Sequence, residues 1–168
     1  MPRRDDLLNA TVEYILDNGV SDLSLRPLAK AIGTKARLLI YHFGSREKLI
    51  EAALTSALRR MQGQFLESGA SILEFWKWGT SPKNQRYLRL VFEVHGLAPR
   101  NPRLFGGYVR EAIRSWRSII VSRGYKEPSA TLIVAAFDGL LMDYLATGER
   151  ERTTRSLRLF LKTIGGTL

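Results

Sequence analysis

Lys35, Ala36 and Arg37 open a short helical segment, Lys35 to Tyr41, directly after a Gly33-Thr34 turn. Basic side chains at the start of a short helix suit a groove lined with phosphates, and such helices present their N-terminal residues to base edges. Arg37 can donate two hydrogen bonds to a guanine edge, while Ala36 offers only a methyl contact, for example to thymine. Between residues 23 and 48, Arg26, Lys30, Lys35, Arg37, Arg46 and Lys48 stand against Glu47 alone. That local surplus points to a polyanionic partner. Other chemistry has little material to work with. The chain has no cysteine, which excludes disulfides, thiolate metal sites and cysteine nucleophiles. His42 and His95 lie far apart, and no glycine-rich phosphate loop occurs. Asp138 and Asp143, five apart on one helix, diverge by about 500° of turn. The expectation is a binding protein rather than an enzyme, with no cofactor and no metal.

The elements that must position these residues are helices. The 168 residues are 45% hydrophobic, enough for a packed core, with a net charge of +10. Leu7, Leu8, Tyr14 and Ile15 recur at helical spacing and end at Gly19. Ser24 precedes a helix from Leu25 to Ile32 that stops at Gly33, and Thr34 stands as a cap for the next. Ser45 caps a long fourth helix. Further helices are expected over Ile72–Trp78, Asn84–His95, Leu104–Gly124 and Pro128–Ala146. A last one opens at Thr153 or Thr154. The fold class is therefore all-α, about nine helices, with the charged front module at residues 1–47 and a larger helical module at 48–168. In the front module, a short helix, a tight glycine-containing turn and a second short helix make a helix-turn-helix, covered by the first helix. The longest stretch without Lys, Arg, Asp or Glu runs only from Pro128 to Phe137. No bilayer-spanning helix, no membrane partner and a cytoplasmic location are expected from that.

Leu25-Arg26-Pro27-Leu28-Ala29-Lys30-Ala31-Ile32-Gly33, followed by Leu39-Ile40-Tyr41-His42-Phe43-Gly44-Ser45-Arg46-Glu47-Lys48-Leu49, resembles the DNA-binding segment of TetR-type repressors. The likeness runs over about residues 5 to 50. It implies that Arg26, Lys35, Ala36 and Arg37 face bases or nearby phosphates, and that Tyr41, His42 and Arg46 hold the DNA backbone. Ile40 stands where the family usually carries a tyrosine that touches phosphate, and Lys35 replaces a common serine.

Behind the fourth helix, the stretch from Ala135 to Glu149 looks like the family's penultimate helix, and Ser156 to Ile164 like its last. The resemblance implies that these helices pair with a second copy, through Ala135, Ala136, Gly139, Leu157, Phe160 and Leu161. Ala135, Ala136 and Gly139 allow close helix approach. A homodimer would set two recognition helices on successive major grooves of a palindromic double-stranded operator. Aromatic residues crowd the middle of the chain, where a small-molecule effector would sit. Trp76, Phe92, His95, Trp116, Phe137 and Met142 are the first candidates for that ligand-binding site. The expected function is a ligand-responsive transcriptional regulator, a repressor released by its effector. The alternatives are a dimeric sensor that no longer reads DNA, and a basic helical protein that binds membrane or RNA nonspecifically.

Overall fold

A computed structural model of the chain describes residues 3–67 and 71–164. Among them the secondary structure is helical throughout, in nine helices. These are α1 (Arg4–Asn18), α2 (Leu25–Ala31), α3 (Ala36–Phe43), α4 (Arg46–Glu67), α5 (Ile72–Gly79), α6 (Gln85–Leu97), α7 (Gly106–Ser122), α8 (Glu127–Thr147) and α9 (Arg150–Thr163). The chain packs as two compact units, residues 1–61 with 89–109, and 62–88 with 110–168.

The first unit is built on the front helices. Leu7, Val12, Ile15 and Leu16 bury one face of α1, with Leu28 and Ala29 of α2 and Leu39 and Phe43 of α3 also buried. Thr11 joins this face because its hydroxyl donates to the Leu7 carbonyl at 2.7 Å, which leaves no polar group unpaired. Ser45 caps α4 as expected, its Oγ accepting from the Lys48 N–H at 3.1 Å. Thr34 does not cap α3. Lys35 holds that position, without a side-chain bond.

The second unit has an aromatic centre. Phe75 is nearly parallel to both Trp78 and Phe137, with centroids 5.3 and 5.7 Å away. Trp116 and Phe65 pack against the same ring at 5.1 and 5.0 Å. Trp76 is fully buried, meets Phe137 edge-on and donates its indole N–H to Thr154 at 2.8 Å. α9 starts at Arg150, ahead of the expected Thr153. Thr153 is buried, and its hydroxyl turns back to the Glu149 and Arg150 carbonyls at 3.0 and 3.1 Å. A threonine that can bond the preceding turn need not end a helix.

Arg152 braces the α8–α9 junction. It donates to both Asp143 oxygens at 2.6 and 2.8 Å and to Glu149 at 2.5 Å. The Arg152 hydrogen bonds hold the Asp143 carboxyl below its ordinary range. Because the folded value is depressed, the brace is complete above the ordinary carboxylate range and fails as pH falls through the lowered value. An NMR titration of Asp143 is expected to give a lower midpoint in the native chain than in Arg152→Gln. Equal midpoints would remove the brace.

One expectation is corrected. Among the described residues α8 is long and apolar enough, by length and composition, to cross a membrane, with 22% of its apolar window buried. The ten-residue test stopped at Asp138, yet only Asp138 and Asp143 interrupt α8 between Pro128 and Thr147.

Candidate nucleic-acid interface

The loop between α2 and α3 fixes which residues face outward. Gly33 turns back at φ +69°, and the Thr34 N–H bonds the Ala29 carbonyl at 2.8 Å. With Leu39 and Phe43 buried, the opposite side of α3 is open to solvent. Arg37 and Tyr41, four residues apart, lie on that side, and Tyr41 is 76% exposed. Ile40, beside them, is 37% exposed. Lys35 precedes the helix and is exposed, as is Arg26 on α2, while Ala36 is half-buried. The module therefore exposes three cations and a phenol, none with a hydrogen-bond or ion-pair partner among the described residues, a donor set suited to phosphate oxygens and base edges.

Two expected residues are occupied differently. Arg46 donates its Nε to the Leu23 carbonyl at 2.7 Å and lies 3.5 Å from Glu47. It thus ties the start of α4 to the loop before α2, and its first task is to hold the module's shape. His42 is half-buried, edge-on to Tyr41 at 5.1 Å. Its Nε2 is covered and has no hydrogen-bond partner among the described residues, so in this conformation that nitrogen does not present itself to a phosphate.

A further positioning residue was not visible in the sequence. Glu93 of α6 accepts from the Val20 and Ser21 N–H groups at 2.9 and 2.7 Å, and from the Ser21 hydroxyl at 2.5 Å. It closes the turn that follows α1. Gly19 leaves room for it, since a Cβ there would lie 2.6 Å from a Glu93 oxygen.

The remaining candidates fall into separate groups. Trp76, Trp116 and Phe137 meet in the aromatic centre of the second unit. Phe92 and His95 belong to the first unit, 6.4 Å apart, with His95 Nδ1 2.8 Å from the Val91 carbonyl. Met142 is 55% exposed and shares an outer stripe of α8 with Leu132, Ala135 and Gly139. That stripe holds two of the residues expected to pair with a second copy, so Met142 groups with them and not with the rings. Ala136 and Phe160 are half-buried. Leu157 and Leu161 are fully buried within one chain, already covered without a partner, and the exposed leucine of α9 is Leu159 at 68%.

Residues 7–53, which take in this whole surface, match the family model of bacterial regulatory proteins, tetR family. Over those residues the chain is similar to the tetR family. The chain is 34% identical over 73 aligned residues to the HTH-type transcriptional regulator BetI 1 of Chromohalobacter salexigens. That match takes in 39% of this chain and spans about a third (36%) of the relative's length. The fold likeness reaches further. A TetR transcription regulator from Haloarcula marismortui superposes with a TM-score of 0.74 at 15% identity, over 96% of this chain and 97% of that one. The multidrug binding protein EbrR complexed with proflavin gives 0.69 at 20% identity, over 95% and 99%. At these identities the likeness establishes a TetR-type fold, an N-terminal helix-turn-helix followed by a helical domain.

Proposed function

We propose that the chain is a TetR-type transcriptional repressor, which binds a palindromic operator as a homodimer and is released by a small-molecule effector. The observation that carries this reading is the exposure of Arg26, Lys35, Arg37 and Tyr41 in the module that matches the tetR family. Residues 1–47 read the DNA, and 48–168 sense and pair. Arg37 supplies the base contact, and Lys35 and Tyr41 add phosphate contacts.

Pairing is supported by the outer stripe of α8, where Leu132, Ala135, Gly139 and Met142 lie at three- and four-residue spacing, with Leu159 on α9. Exposed large apolar side chains grouped on small-residue helices mark an interaction surface. A second copy covers such a stripe and accounts for the apolar character of α8 without a bilayer. The effector reading rests on the rings around Phe75. EbrR has been crystallised with proflavin and ethidium, both flat aromatic molecules. A flat aromatic effector is the matching choice here, since it can continue the near-parallel stack of Trp78, Phe75 and Phe137. All three tryptophans of the chain lie in this cluster, so intrinsic fluorescence reports its occupancy. Occlusion of a promoter and release by a population shift require no chemical step, which fits a regulator and not an enzyme.

Arg37→Ala is expected to weaken palindrome binding by about 1–3 kcal/mol and to relax the preference at one base position. A titration at fixed salt that gives unchanged affinity and unchanged preference would contradict the placement of Arg37 at a base edge.

A further inference from the structure

Away from the base-reading residues, α1 and α4 enclose an open groove of about 310 Å³, lined by Arg4, Leu8, Lys48, Glu51, Ala52, Thr55, Ser56 and Arg59. Its α4 residues form one stripe at three- and four-residue spacing. Lys48 and Arg59 mark its ends, about 16 Å apart along the helix axis at 1.5 Å per residue. Three of the lining side chains are cations and one is an acid. Lys48 and Arg59 have no ion-pair partner among the described residues, and Arg4 has only Asp5 at 3.9 Å, its guanidinium lying 4.9 Å over the Phe43 ring. Thr55 and Ser56 are half-buried, and neither hydroxyl bonds another described residue.

We propose that this groove binds a phosphate-bearing anion. The donor set decides the chemistry. Two guanidinium groups, an ammonium and two hydroxyls offer more N–H and O–H groups than the two oxygens of a carboxylate accept. Phosphate groups, with three acceptor oxygens each and greater charge, match both the number and the sign. The length of the stripe favours a ligand with two or more linked phosphates, held by Arg4 and Lys48 at one end and by Thr55, Ser56 and Arg59 at the other. Glu51, between them, opposes binding. The favoured source is a free phosphorylated small molecule. The phosphates of a DNA duplex flanking the operator carry the same chemistry.

Isothermal titration of the full chain with inorganic pyrophosphate and tripolyphosphate, at constant ionic strength set with chloride, tests this. The expected result is saturable binding of one ion per chain, at least tenfold weaker in Arg59→Ala and several-fold tighter in Glu51→Gln. Both positions are exposed, and unchanged melting curves verify that the variants fold. In a second arm, operator duplexes are lengthened by five base pairs on each side. If polyphosphate does not bind but longer duplexes bind the native chain more tightly than they bind Arg59→Ala, the phosphate chemistry stands, with DNA as its source. Polyphosphate binding that ignores both substitutions overturns the site. So does the absence of an effect in both arms. The first arm uses no DNA, so its failure is distinguishable from failure of the repressor reading.

Discussion

Replacing Trp76 with alanine is expected to lower the unfolding free energy of the second unit by about 3–5 kcal/mol, the usual cost of deleting a buried large aromatic. Trp76 is fully buried, and its ring is edge-on to Phe137 with centroids 5.6 Å apart and 6.5 Å from Tyr144. Its indole N–H is satisfied by Thr154, whose hydroxyl in turn donates to the Arg150 carbonyl at 2.6 Å. Trp76→Phe separates the two contributions. It keeps most of the apolar contact and loses one hydrogen bond, at about 1 kcal/mol beyond the change in volume. Urea unfolding followed by far-UV circular dichroism measures both. A loss below 1 kcal/mol in Trp76→Ala would mean that this indole is not the centre of the packing.

Gly19→Ala is expected to cost about 2–5 kcal/mol in the first unit, from two sources. With φ +76° and ψ −173°, Gly19 occupies a region that is essentially restricted to glycine. The added methyl also enters the space of the Glu93 carboxylate and drives it from the Val20 and Ser21 N–H groups. The Val20 donor is part-buried, so its loss is not made good by water. Glu93→Gln, which keeps an acceptor at the same place, should cost much less than Gly19→Ala. Hydrogen exchange at Val20 and Ser21 reads the effect locally. Undisturbed protection of both amides in Gly19→Ala would show that Glu93 does not hold the turn.

The helices were legible in the sequence because their signals are local. Apolar spacing, Ser45 as a cap, and Gly19 and Gly33 as stops need only a few neighbouring residues to act. The same locality sets the limit of such a reading. Periodicity shows that Leu157 and Leu161 share a face, but not which neighbour covers that face. They turned out to be buried inside one chain, while Leu159 stayed outside. Met142 was assigned to a ligand site by its type, yet its phase on α8 sets it beside Ala135 and Gly139. Glu93 left no trace, because its partners lie more than seventy residues away and a single glutamate on a helix looks like any solvated charge. Arg46 was recognisable as a functional position, whereas its bond to the Leu23 carbonyl depends on tertiary structure. Cations of the larger module also have structural partners. Arg117 pairs with Glu127, Arg114 with Glu111, and Arg123 donates to the Phe65 carbonyl and covers its ring.

The local charge of residues 23–48 thus remains the better guide to function than the net +10, and it makes the central claim open to one measurement. Genomic DNA fragments are selected on the full-length protein at a stated salt concentration and sequenced, with Arg37→Ala run in parallel. Enrichment of a palindrome with half-sites about one helical turn apart, weaker and less selective with Arg37→Ala, is the predicted result. Failure of the native chain to enrich any palindrome would contradict it, and would leave the fold as that of a dimeric sensor that does not read DNA.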